Sequence, residues 1–168
     1  GLGRSVSVNS IEKLHGDGSY RTYSRARLSD GTSLIVMQMP AGRASASEEI
    51  TNFNGKHEEL PFVNVAKFLK GAGLAVPEIF LHDEEKNLLL IEDLGDELMA
   101  RKVEGAGDEE RLLWYRKAVD LLVSLREKTD GRRGEGCVAF MRSFDSTLLN
   151  WEFDHFLEYG IEARLSVR

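Results

Sequence analysis

The chain has 168 residues, 42% of them hydrophobic and 30% charged, and a formal net charge of −6 at pH 7. This length and composition are typical of a globular protein of one domain, or of a small domain plus part of another. The acidic balance argues against nucleic acid or anionic lipid as a partner for the whole surface, and the single cysteine, Cys137, excludes an internal disulfide and a metal site built from cysteine pairs. No apolar run approaches the roughly 20 residues of a membrane span and no signal segment starts the chain, so we expect a cytoplasmic protein that does not bind membranes.

The first forty residues predict β-strands. Residues 5–8 are short and β-favouring, and residues 20–28 alternate between two faces, with Arg21, Tyr23, Arg25 and Arg27 on one of them. Asp30-Gly31 is the strongest short hairpin signal in the chain, and residues 34–37 form a fully apolar run, as in a buried strand. Residues 11–39 therefore predict a three-stranded antiparallel meander.

The next sixty residues predict one main helix and two further strands. Residues 41–60 are polar and predict a loop with a short helix near Glu48. Pro61 is well placed as the first residue of a helix that Gly71 and Gly73 end. Residues 78–81 and 88–91 predict strands on either side of a charged turn.

After Gly95 the pattern becomes helical. Residues 108–128 predict a long amphipathic helix with an apolar side formed by Leu112, Tyr115, Val119, Leu122 and Leu125. Residues 131–136 are a glycine-rich loop, and residues 143–146 are suited to cap a last helix. We therefore predict an α+β protein with two parts, residues 1–95 and 96–168.

A glycine-rich loop is predicted between the first two strands. Gly16-x-Gly18-x-x-Arg21-x-Tyr23 has the outline of the protein-kinase loop G-x-G-x-x-G-x-V, with Arg21 in place of the third glycine. Such glycines let backbone N–H groups approach the phosphates of ATP. Taken alone, the motif fits an ordinary hairpin turn as well.

The end of the last predicted strand is a second candidate site. The sequence LLLIEDLG, residues 88–95, is a buried strand that ends in an acidic pair and a glycine turn. This matches the hinge that joins the two lobes of kinases, where the carbonyl of Glu92 and the N–H of Leu94 would read adenine. An ordinary core strand that meets a turn would show the same pattern.

Four blocks, in their order and spacing, resemble a known superfamily. They are GDGSYRTYSRARL, LIVMQMP, PFVNVAKFLKGAGLAVPEI and LLLIEDLGD. They resemble the aminoglycoside phosphotransferase/choline kinase-like superfamily, and within it the bacterial cell-wall phosphotransferases that act as anomeric N-acetylmuramate/N-acetylglucosamine kinases. The later stretch MRSFDSTLLNWEFDHFLEY resembles the helix that begins the sugar-binding lobe of that group, so the similarity covers residues 11–159.

The resemblance implies a fold, ligands and a set of site residues. The fold would be a protein-kinase-like amino-terminal lobe, with a five-stranded antiparallel sheet and one main helix, followed by the first helices of a helical carboxy-terminal lobe. The ligands would be ATP, Mg²⁺ and a sugar acceptor of cell-wall recycling. The nucleotide-binding residues implied are Gly16, Asp17, Gly18, Ser19, Tyr20, Arg21, Tyr23, Arg25, Met37, Ile91, Glu92, Asp93 and Leu94.

The third strand departs from the kinase pattern. Kinases place a lysine there to hold the α and β phosphates, but residues 34–39 read LIVMQM. We expect Arg21 or Arg25 to supply the cation, because a guanidinium offers several donors in a fixed fork suited to phosphate. A solvated basic strand edge is the competing interpretation.

The catalytic elements are a larger departure. His15-Gly16-Asp17 spells the start of the catalytic loop H-x-D-x-x-x-x-N, but Thr22 stands where the asparagine is required, and no D-x-D occurs in the sequence. We assign no catalytic and no metal-binding residue to this chain. It resembles an amino-terminal half that lacks the catalytic aspartate loop, and we predict that it is inactive alone.

Alternatives remain within and outside the kinases. An aminoglycoside, choline or homoserine kinase would share the superfamily pattern. A non-catalytic module with a kinase-like lobe, which binds a nucleotide or a protein partner, belongs to another class. Apolar helices without a lobe to pack on would favour homo-oligomers.

Overall fold

The computed structural model describes residues 6–15, 21–39, 59–141 and 143–165. Within them, five strands form one antiparallel sheet. The strands are β1 (Val8–Lys13), β2 (Thr22–Leu28), β3 (Ser33–Gln38), β4 (Ile79–Asp83) and β5 (Leu88–Glu92), in the spatial order β1-β2-β3-β5-β4. The predicted meander and the α+β class with a five-stranded antiparallel sheet are confirmed. The short helix expected near Glu48 lies outside the described residues.

The predicted helices occur in the predicted order, and the described residues add three short segments, one of them a 3₁₀ helix at Val138–Phe140. The α-helices are α1 (Pro61–Gly71), α2 (Met99–Glu104), α3 (Asp108–Thr129), α4 (Ser146–His155) and α5 (Ala163–Leu165), with a π-helical segment, Phe156–Glu162, between the last two. Pro61 begins α1 as predicted, and the Asp145 carboxylate accepts the Leu148 N–H at 2.9 Å to cap α4. The six-residue α2 was not predicted, because it is too short to show an apolar period.

Local chemistry explains the turn between β2 and β3. Asp30 accepts the Thr32 N–H at 3.0 Å, which is an Asx turn, and Gly31 adopts a φ of +85°. An L side chain at that φ would be strained. The turn holds β2 and β3 in register, with Tyr23 opposite Met37 and Arg25 opposite Ile35.

The core lies on one face of the sheet, under α1. Its buried members come from β3, β5 and α1, namely Ile35, Met37, Val63, Leu89 and Ile91. Directly opposed residues of neighbouring strands point to the same face, so the rows Tyr23–Met37–Leu89 and Arg25–Ile35–Ile91 both belong to the face that α1 covers. An arginine therefore lies beside the apolar core.

The long helix α3 does not bury the apolar side that the sequence predicted. Its five apolar residues at helical spacing, from Leu112 to Leu125, are between 38% and 64% exposed. The same is true further on, where Phe153, Phe156 and Tyr159 are more than half exposed. The helices form where they were predicted, but the described part of the chain leaves their apolar sides open to solvent.

The segment after α3 returns to α1. Residues 130–141, the first part of the connection between α3 and α4, are held by the Asn64 side chain, which donates to the Gly136 carbonyl at 3.3 Å and accepts the Val138 N–H at 2.9 Å. The rings of Phe68 and Phe140 meet edge to face, with 5.3 Å between centroids. We call the three residues Asn64, Gly136 and Val138 the Asn64 clamp. The clamp connects α1, the helix that packs on the sheet, to the segment that follows α3.

We expect Asn64→Ala to lower the free energy of unfolding by about 1–2 kcal/mol, because it leaves a part-buried N–H and a carbonyl without their partners. Alanine is a better helix former than asparagine. A lower free energy of unfolding would therefore come from the lost hydrogen bonds of the clamp and not from a weaker helix. Urea denaturation is the measurement. Lys67→Ala, at an exposed position of the same helix, is the control and is expected to change stability little. Equal effects of the two substitutions would contradict a role for the clamp.

Candidate functional site

The predicted glycine-rich loop has strands on both sides. Gly16, Asp17, Gly18, Ser19 and Tyr20 lie outside the described residues. The flanking strands pair antiparallel, with Lys13 opposite Ser24, and the Leu14 N–H donates to the Tyr23 carbonyl at 2.8 Å. The loop therefore joins neighbouring antiparallel strands, which is the context that a phosphate-binding glycine loop needs.

The sheet brings several predicted site residues to one face. Tyr23 and Arg25 of β2, Met37 of β3 and Ile91 of β5 all lie on the face covered by α1. Met37 has no exposed surface and Ile91 has little. These two side chains pack in the core and present almost no area to a ligand in this conformation.

Arg25 is the centre of the site. Its Nε donates to Asp93 Oδ2 at 2.6 Å and one terminal nitrogen donates to Asp93 Oδ1 at 3.0 Å. The terminal nitrogens also donate to both oxygens of Asp96, each at 2.8 Å. Each of two edges of the guanidinium thus holds one carboxylate in a bidentate pair, which is a strong and orientation-specific interaction. The side chains of Arg25 and Asp93 are 9% and 6% exposed, whereas that of Asp96 is 74% exposed.

Two further groups complete what we call the Arg25 cluster, which consists of the side chains of Arg25, Ser33, Asp93 and Asp96 and the backbone N–H of Gly95. The Ser33 hydroxyl at the start of β3 donates to Asp93 Oδ2 at 2.6 Å. The backbone N–H of Gly95 donates to Asp93 Oδ1 at 3.0 Å. The cluster therefore joins β2 and β3 to the residues that follow β5.

The charges of the cluster stabilise one another. Hydrogen bonds from Arg25 lower the pKa of Asp93 to about 2, against the opposing effect of burial, and those from Ser33 and Gly95 act in the same direction. Hydrogen bonds from Arg25 also lower the pKa of Asp96. Hydrogen bonds to Asp96 and Asp93 raise the pKa of Arg25. One positive and two negative charges are therefore present together at neutral pH.

The backbone around the end of β5 has two distinct parts. The Glu92 N–H donates at 2.8 Å to the carbonyl of Glu78, the residue that precedes β4, so the pairing of β5 with β4 continues to this point. Beyond it, Leu94 has a side chain that is 70% exposed, and Gly95 adopts a φ of +78°. We call residues 92–96 the hinge segment.

Arg21, the other predicted cation, is half-buried and directly precedes β2.

The described residues do not fit a magnesium ion. None of the described parts of the chain brings together three His, Cys, Asp or Glu side chains that could hold a metal. Asp93 and Asp96, the acidic pair of the Arg25 cluster, are already bound to Arg25. We therefore assign no metal ligand among these residues.

Other features lie away from the cluster. A cavity of about 500 Å³ opens between α1 and β4, and its lining includes Val63, Lys70 and Phe80 but none of the predicted site residues. Among the helices that the structure describes, none is long and apolar enough to cross a membrane.

Sequence reasoning missed Asp96 and Ser33. Neither residue was among the predicted site residues. One signal was present, because alternation along β2 places Arg25 on the same face as Tyr23, and a buried arginine requires an acidic partner. That signal does not say which of the chain's 28 acidic residues would supply the partner.

Comparisons with known proteins give two relatives and no family model. The chain is 28% identical over 163 residues to the N-acetylmuramate/N-acetylglucosamine kinase of Caulobacter vibrioides, an alignment that covers 88% of the chain and 44% of that protein. It is 29% identical over 151 residues to the protein of the same name from Pseudomonas aeruginosa, which covers 90% of the chain and 38% of that protein. The chain thus spans less than half the length of these curated relatives.

Proposed function

We propose that this chain is the amino-terminal part of an ATP-dependent phosphotransferase that phosphorylates an amino sugar, N-acetylmuramate or N-acetylglucosamine, at the anomeric hydroxyl. The observation that carries the proposal is the similarity to two kinases of that name over about nine-tenths of the chain. The antiparallel sheet and the hinge segment at the end of β5 are consistent with it.

The proposal gives the predicted site residues distinct roles. Residues 16–20, between β1 and β2, would meet the phosphates through backbone N–H groups. The carbonyl of Glu92 and the N–H of Leu94 would form hydrogen bonds with adenine. Tyr23 would contribute to the apolar sheet face behind the nucleotide, and Met37 and Ile91 would support that face from the core.

The reaction is a phosphoryl transfer. The anomeric oxygen of the sugar would form a bond to the γ-phosphorus of ATP, the bond from that phosphorus to the β–γ bridging oxygen would break, and ADP would leave. The hydroxyl proton would pass to a base. The resemblance places that base, and the magnesium ligands, in sequence that this chain does not contain, so we propose that the chain supplies nucleotide binding and not catalysis.

The test uses two proteins. The protein as it occurs in its native cell is incubated with MgATP and each candidate acceptor, and the product is identified by phosphorus NMR. The expected result is an anomeric sugar phosphate and a native mass of roughly twice the 18.9 kDa of this chain. The 168-residue chain alone is expected to bind ATP without turnover.

Other outcomes would replace the proposal. Phosphorylated aminoglycoside, choline or homoserine would keep the superfamily and exclude the sugar. A native protein of the same mass as this chain, with no turnover of any acceptor, would favour a non-catalytic nucleotide- or partner-binding module.

The exposed apolar helices predict how the isolated chain behaves. The apolar sides of α3 and α4 are exposed surfaces of the kind that associates in water. We expect the 168-residue chain to form oligomers whose fraction rises with concentration in analytical ultracentrifugation. Replacing Leu122 and Phe153, two of the more exposed apolar residues, with glutamate should shift it toward monomer. A wild-type chain that stays monomeric throughout would contradict this expectation.

A further inference from the structure

The hinge segment is held from outside by side chains of other strands. Asp93 and Asp96 of this segment are both bound by Arg25 of β2, and Asp93 is also bound by Ser33 of β3. Arg25 is separated from these partners by 68 and 71 residues in sequence. The contacts therefore fix the hinge segment to the sheet and not merely to its own strand.

The two carboxylates that Arg25 binds also fix the conformation of the backbone between Asp93 and Asp96. Asp93 accepts the Gly95 N–H, which closes an Asx turn around Leu94. Leu94 cannot be held by its own packing, because its side chain is 70% exposed. Its position follows from Asp93 on one side and from Gly95 and Asp96 on the other.

We propose that Arg25 is a positioning residue for nucleotide binding, whose guanidinium fixes the hinge segment so that the Glu92 carbonyl and the Leu94 N–H are presented to the base. The inference rests on the proposed function for the identity of the ligand. The proposal places the effect of Arg25 at the adenine base. The positive charge that binds the phosphates is then supplied by another residue.

Two observations separate this role from direct phosphate binding. Of the five N–H groups of a guanidinium, four are used by the hydrogen bonds to Asp93 and Asp96. The two carboxylates also outnumber the single guanidinium, so the cluster repels a triphosphate more than it attracts one. A phosphate would have to displace a carboxylate to reach Arg25.

The test compares adenosine, which has no phosphate, with ATP. Binding of each to the 168-residue chain is measured by calorimetry for the wild type, Arg25→Lys and Arg27→Lys. Lysine keeps the charge but loses the fork, so Arg25→Lys is expected to weaken both ligands by the same factor, on the order of tenfold. Arg27→Lys, at an exposed position two residues along β2, is the matched control and is expected to leave both affinities unchanged.

Hydrogen exchange of the nucleotide-free protein gives a second readout. The Gly95 N–H is expected to exchange faster in Arg25→Lys, and to a smaller extent in the milder variant Ser33→Ala, but not in Arg27→Lys. Unchanged Gly95 exchange in Arg25→Lys would overturn the inference, and so would a loss of ATP affinity with adenosine affinity preserved. A wild type that binds neither ligand would instead overturn the proposed function, because the exchange result does not depend on a nucleotide.

Discussion

Asp93→Ala is expected to lower the free energy of unfolding by about 3 kcal/mol, because it removes a buried carboxylate that accepts charge-assisted hydrogen bonds and leaves Arg25 with one partner instead of two. Ser33 and the Gly95 N–H lose the same acceptor. Urea denaturation near neutral pH is the measurement.

The control for this substitution is Glu97→Ala, four residues further along. Glu97 also pairs with a basic residue, Lys102, at 3.0 Å, but its side chain is 80% exposed. Exposed ion pairs contribute little, so the control is expected to stay close to the wild type. If both substitutions cost the same, the Arg25 cluster does not stabilise the fold in the way that its burial implies.

Acid should remove the contribution of Asp93. The pKa of Asp93 is lowered to about 2 in the folded protein from its ordinary value of 3.8. A lowered folded-state pKa stabilises the protein fully above the ordinary value, and the stabilisation is lost as the pH falls from about 4 to about 2. We therefore expect the stability difference between the wild type and Asp93→Ala to be constant above about pH 5 and to shrink below about pH 4. A difference that does not change with pH would show that the carboxylate charge is not the cause.

Leu89→Ala is the second substitution with a large expected effect. Leu89 is fully buried in the centre of the sheet, opposite Met37. Truncation removes buried methyl groups and leaves a cavity, which costs about 2–5 kcal/mol in well-packed cores. The free energy of unfolding in urea is again the measurement.

Two further variants make this result specific. Leu81→Ala lies on the neighbouring strand β4, where the side chain is 46% exposed, and it is expected to cost far less. Leu89→Met conserves volume and is expected to cost less than about 1.5 kcal/mol. A large loss in Leu81→Ala, or a small one in Leu89→Ala, would contradict the position of the core.

Local signals were sufficient to predict most of the fold. Asp30-Gly31 located the β2–β3 turn, the apolar run at residues 34–37 located a buried strand, and Pro61 located the start of α1. These features depend on backbone preferences and on periodicity within a few residues, and sequence shows them directly.

The site and the burial pattern depend on distant contacts. Alternation put Arg25 and Tyr23 on one face of β2, but the partners of Arg25 come from residues about 70 positions away. The apolar period of α3 predicted a face suited to burial and could not predict that the described chain leaves it exposed. Periodicity identifies which side of an element is apolar, whereas tertiary structure decides what covers it.

The Asn64 clamp has a consequence for the chemistry of the thiol beside it. Cys137, the single cysteine of the chain, is buried and lies between Gly136 and Val138, the two residues that Asn64 holds. A thiol reagent attacks only an accessible thiolate, so modification of the buried Cys137 requires the structure around the Asn64 clamp to open. The rate of its alkylation therefore reports how often the structure around the Asn64 clamp opens, and the protein carries this kinetic reporter without any introduced label.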